Sequence, residues 1–199
     1  SIDLGANSTD GSASSLVTWL QNPEQQQVLN DMQGYLLRRY ARGETGELEN
    51  GLVELKSGFS LTAIQWPEKY PHLVFKFPYL GEHADPPSPE EFKLMAEIAR
   101  QSGYEVTEID GFQLIKIPGI APFIYYRDMV VQQYADSTDN IEYIKVINEV
   151  LAKVGVRWIG DGDLLKNMGL VTEIIDGQEV KIPVVPDNQD LELIASSPA

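Results

Sequence analysis

The chain has 199 residues, of which 43% are apolar, and its 30 acidic and 15 basic residues give a formal net charge of −15. This length supports one domain with its own core, while the absence of cysteine excludes disulfide and thiolate-metal frameworks and two histidines do not supply a multi-histidine zinc site. The negative field opposes a phosphodiester backbone, and no run approaches the roughly 18 apolar residues of a membrane span, so a basic protein surface is the partner that composition favours.

The opening residues are small, polar and glycine-bearing, and residues 1–21 read as a flexible lead-in. The first 15 residues lack the basic and apolar regions of a signal peptide. Asn22 and Pro23 then form a helix-start signal. Val28, Leu29, Met32, Tyr35, Leu36 and Tyr40 follow at three-and-four spacing, which predicts a helix over 22–43. Arg38, Arg39 and Arg42 suit its negative end. From residue 51 apolar and polar residues alternate around Ser57 and Gly58, and with the run at 72–78 they predict a three-strand antiparallel meander. The proline-rich linker 81–91 leads into a helix ending near Ser102. Asp110-Gly111 and Asp176-Gly177 each sit between strand-like runs and predict hairpins. Residues 119–137 fit a helix or a strand with a hinge. Tyr143, Ile144, Ile147, Val150, Leu151 and Val154 predict a helix over 138–155 closed by Gly155, and residues 191–199 read as a tail. The fold class is α+β: a small antiparallel sheet with one helix packed on it, then a mainly helical part carrying a β-hairpin.

The segment DGDLLKN at 161–167 places two carboxylates and an amide where a turn needs only one such group. Alone, it reads as a capped turn, a cation site or a holder of a hydroxyl. The order of the whole set is more informative: KSGFS at 56–60, VFK at 74–76, EEFKLMAE at 90–97, DGDLLKN, and VVPD at 184–187. Over roughly residues 51–190 this succession resembles the protein-kinase-like fold in a compact form, similar to minimal kinases of bacterial effectors and phage proteins.

That resemblance implies a single domain over 22–190, with an N-lobe at about 44–118 and a C-lobe at about 119–190. It implies transfer of the ATP γ-phosphate, with magnesium, to a protein or small-molecule hydroxyl, or an inactive relative of such an enzyme. Phosphoryl transfer needs a phosphate-holding lysine, metal-holding groups and a base. The implied nucleotide residues are Lys76, Glu97 (or Glu91) as its partner, and Ser57 with Gly58 in the phosphate turn. Asp163 or Asp161 is the implied catalytic base, and Asn167 and Asp187 the implied magnesium ligands. The sequence departs from the family in placing Gly162 five positions before Asn167, and in following Asp187 with Asn188 and Gln189. The location it implies is cytoplasmic, or a host cell into which the protein is delivered. A second reading is a non-enzymatic acidic module, of the immunity, adaptor or inhibitor kind, docking a basic partner. A third has the two aspartates hold a divalent ion with a nucleotide sugar.

Overall fold

The computed structural model describes residues 13–57, 61–78, 97, 100–101, 106–109, 112–116, 118–126, 129–153, 155–158, 164–186 and 191–193. The chain is of the α+β class. Its first elements are two helices, α1 (Ala13–Gln21) and α2 (Pro23–Ala41). Asn22 caps α2 in an extended conformation, its side-chain oxygen accepting from the Glu24 amide at 3.0 Å with Pro23 in the first turn, as the sequence predicts. Residues 13–21, expected within the lead-in, are instead helical. Leu16, Trp19 and Leu20 are buried there, and their burial holds a helix too short to stand alone.

The expected meander forms as β1 (Val53–Ser57), β2 (Leu61–Trp66) and β3 (Tyr70–Pro78). Four more strands extend it: β4 (Val106–Ile109), β5 (Phe112–Ile115), β6 (Phe123–Tyr126) and β7 (Met129–Gln133). The seven-stranded sheet runs β1-β2-β3-β7-β6-β5-β4, so two successive meanders meet where β3 pairs with β7. The ambiguity at 119–137 is thus resolved as strand. β7 has all five residues buried, which erases the alternation that marks a half-exposed strand.

Helices α1 and α2 cover one face of this sheet. Leu16, Trp19, Leu20, Leu29, Met32 and Leu36 share a core with Tyr70, Leu73, Phe75, Phe77, Ile124 and Val131. Within it, the Trp19 and Tyr70 rings meet edge-on with centroids 5.3 Å apart. The aromatics of the meander therefore pack under helices. Tyr40, counted on the apolar face of α2, stands in solvent at 49% exposure.

After β8 (Asp136–Ser137) comes α3 (Glu142–Lys153), with Asn140 accepting from the Glu142 amide at 3.1 Å. It is shorter than the expected 138–155, because the chain at 138–140 turns to supply the cap. Next are β9 (Val156–Trp158), a 3-10 turn (Leu164–Asn167), β10 (Gly169–Ile175), β11 (Gln178–Val184) and β12 (Leu191–Leu193). β10 and β11 form the hairpin read from Asp176-Gly177. Both turn residues have positive φ, 52° and 78°, the conformation that a two-residue hairpin loop demands and that Asp and Gly tolerate. β8 pairs with the base of β10 to make a three-stranded sheet. β12 pairs with β9, Leu191 opposite Trp158 and Leu193 opposite Val156, so the expected tail begins as a strand. Beyond residue 119 the described residues thus hold one α-helix among seven strands, and strand outweighs helix in the part expected to be mainly helical. The hydrophobic pattern after 119 is dominated by short β-branched runs, Val130-Val131, Ile174-Ile175 and Val184-Val185, which favour the pleated backbone.

Candidate functional site

Lys76 lies on β3 between Phe75 and Phe77, and alternation sends it to the face opposite theirs. Phe75 and Phe77 face α1 and α2, while Lys76 has Ala63 and Val130 as its cross-strand partners. That second face is not open to water, for Lys76 is only 9% exposed and Val74 and Val130 beside it are buried. A buried ammonium needs acceptors. The Lys76 Nζ donates to the Pro186 carbonyl at 2.7 Å, linking positions 110 residues apart.

The acceptor strand is held by the backbone. The Val185 amide donates to the Gly119 carbonyl at 2.8 Å, and the Ala121 amide to the Val185 carbonyl at 3.3 Å, making a parallel bridge between Ile120 and Val185. Gln132, 1% exposed on β7, donates from its Nε2 to the Ala121 carbonyl at 2.9 Å. Gly119 adopts φ +86°, and a Cβ there would lie 2.9 Å from Leu151 Cδ2, so glycine is what lets α3 close over this segment. Lys76 and Gln132 thus project from neighbouring strands of one sheet face and tie down the two segments that cross it. Gln132 was not singled out from the sequence, and the only available signal is a polar pair ending an otherwise apolar strand.

The other expected residues divide plainly. Lys76 is brought next to the residue that precedes Asp187, while Asp187 itself lies outside the described residues, as do Asp161, Asp163, Gly58 and Glu91. Glu97 is helical, as expected, but its carboxylate is 54% exposed. It faces Arg100 at 3.7 Å and accepts from Gln101 at 3.2 Å, so the expected Lys76–Glu97 pair is not made. Ser57 ends β1 with its backbone paired to Thr62. Asn167 is half-buried at the end of the 3-10 turn, which Leu164 and Met168, both buried, anchor in the core. Among the described residues no group of three or more His, Cys, Asp or Glu side chains is placed to hold a metal.

Chemically, then, the described part of the site is a buried cation satisfied by a main-chain carbonyl. A surface hollow of about 560 Å³ lies elsewhere, along the outer face of α3, lined by Ile141, Ile144, Lys145, Asn148, Glu149 and Ala152. It contains none of the expected site residues. No helix among the described residues is long and apolar enough to cross a membrane. No protein-family model matches the chain, and a comparison with curated protein sequences returns no match.

Proposed function

We propose that this protein is a docking module that binds a basic protein partner. The observation that carries the reading is the placing of apolar side chains in water on a chain of net charge −15. Leu37 and Tyr40, Val53 and Leu55, and Ile174 and Ile175 are all more than 40% exposed, and each pair is close in sequence. Scattered exposed apolar residues need no explanation, whereas contiguous ones mark contact surfaces, and Leu37 and Tyr40, three apart on α2, share a helix face. The acidic field supplies steering toward a positive surface. The burial of Lys76 against a backbone carbonyl supports the same reading, since that contact gives the ammonium a structural use. The test is affinity capture from cells, followed by calorimetry of the purified pair at low and high salt. Binding should weaken by roughly tenfold or more as ionic strength rises. A partner with an acidic surface, or salt-independent binding, would reject the reading.

One observation favours a second reading, the compact kinase-like phosphotransferase using ATP and magnesium. Lys76 reaches the carbonyl of Pro186, immediately before Asp187, as a lysine and a metal ligand lining one cleft would require. On this reading Asp163 or Asp161 serves as base, Asn167 and Asp187 hold magnesium, and Lys76 holds phosphate. Magnesium and ATP together should then raise the melting temperature of wild type and not of Lys76→Met or Asp187→Ala. No shift at millimolar nucleotide leaves the docking module alone.

A further inference from the structure

The β10–β11 hairpin carries an apolar stripe that begins in the core and ends in water. Its register sets Val171 opposite Ile182, Glu173 opposite Val180 and Ile175 opposite Gln178, so Val171, Ile175, Val180 and Ile182 share one face. At the base, Val171 is buried with Ala121, Ala135 and Val184, and Ile182 packs against that cluster. Toward the turn, Val180 is 36% and Ile175 46% exposed, and Ile174 on the reverse face is 62% exposed. The ribbon outgrows its support on one edge: β8 pairs only with Gly169 and Leu170, and apart from β11 no described strand pairs with β10 beyond them. A two-stranded ribbon in water is marginal without a covering surface, so Ile175 and Val180 on the stripe face call for one.

Charge selects the cover. The ionic groups of the ribbon are Glu173, Asp176, Glu179 and Lys181, and the Lys181 Nζ is bonded to Thr172 Oγ1 at 2.6 Å. Glu173 on the stripe face and Asp176 in the turn therefore border the stripe, while Glu179 and the engaged Lys181 lie on the reverse face with Ile174. A second copy would bring another −15 to the contact, and an anionic lipid surface would likewise be repelled. We infer that the outer half of the β10–β11 hairpin is the docking element for an extended protein segment that alternates apolar with lysine or arginine side chains. Its apolar groups cover Ile175 and Val180, and its cations meet Glu173 and Asp176. This inference rests on the docking reading proposed above and adds the place.

The experiment uses the full chain labelled with nitrogen-15 and three short synthetic peptides, one alternating valine and lysine, one valine and glutamate, and one serine and lysine. The valine-lysine peptide should shift the amide resonances of residues 172–181, the other two should not, and Ile175→Asp and Val180→Asp should each weaken its binding by roughly tenfold. Both substituted side chains are solvent-exposed, and an unchanged melting temperature confirms that the variants fold. Binding that perturbs a different surface overturns the hairpin assignment and leaves the docking reading standing. Failure of the valine-lysine peptide to bind anywhere, alongside failure to capture a basic partner, overturns both. Equal binding of the valine-glutamate peptide overturns the charge argument. Hairpin-dependent self-association in sedimentation, or hairpin-dependent binding to phosphatidylserine vesicles, overturns the choice of occupant.

Discussion

Tyr70 shows how one side chain joins the helices to the sheet and makes the join sensitive to pH. Its ring is buried among Trp19, Trp66 and Phe75, and its hydroxyl donates to Gln25 Oε1 on α2 at 2.8 Å. Burial raises its pKa above the ordinary value of 10.0, because the phenolate would lose its hydration. The unfolded chain therefore releases this proton first as pH rises. Stability from this residue is intact below pH 10 and declines from there toward the raised folded value. Tyr70→Phe should flatten that alkaline decline in urea titrations between neutral pH and pH 11 or so, at a cost of about 1 kcal/mol for the lost hydrogen bond at neutral pH. An alkaline limb that is identical in the two proteins would assign the decline to other groups.

At the scale of elements, α1 is the test of how the fold is held together. It contributes Leu16, Trp19 and Leu20 to the core over the sheet, and at roughly 2 kcal/mol for each large buried apolar side chain its removal should cost about 5 kcal/mol or more. A chain starting at Asn22 should accordingly unfold at much lower urea than one starting at Ala13, and a change of less than about 1 kcal/mol would show α1 to be peripheral. This helix was legible in retrospect. Leu16, Val17, Trp19 and Leu20 carry helical spacing, but the glycine and serine before them weigh against any element there. Helix α2 was legible directly, because Asn22, Pro23 and its apolar stripe all agree. The hairpins were legible because Asp-Gly turns need positive φ that few other pairs accept. β7 was legible only as one of two alternatives, and β6 and β12 were not legible, because strands buried on both faces or only three residues long leave no period to read. At the candidate site, alternation in 73–77 placed Lys76 on the face away from the phenylalanines. That this face is covered, and covered by 184–186, depends on pairing between distant segments that no local pattern encodes.

The whole molecule is a sheet that continues through the expected lobe boundary at 118/119, since β6 and β7 complete the sheet that β1 opens. Disruption anywhere in that sheet is therefore felt on both sides of the boundary, and charge acts on one folded body. Even if every basic group met an acidic one, 15 carboxylates (30 − 15) would remain unpaired. The ion pairs among the described residues offer little offset, since Arg42–Glu44, Arg100–Glu97 and Lys145–Glu149 are solvent-exposed pairs at 3.7–3.9 Å, each worth a fraction of a kcal/mol, and Arg39–Glu44 stands at 4.0 Å on the same exposed glutamate. Self-repulsion thus outweighs local attraction in the folded state, where the charges are closest together. At about 0.15 M ionic strength the screening length falls to roughly 8 Å, so salt relieves long-range repulsion more than it weakens pairs in contact. The melting temperature should rise by several degrees between low salt and 0.15 M sodium chloride and then level off. A melting temperature that falls on adding salt would mean that attractive pairs dominate after all, and it would also remove the electrostatic argument for a basic partner.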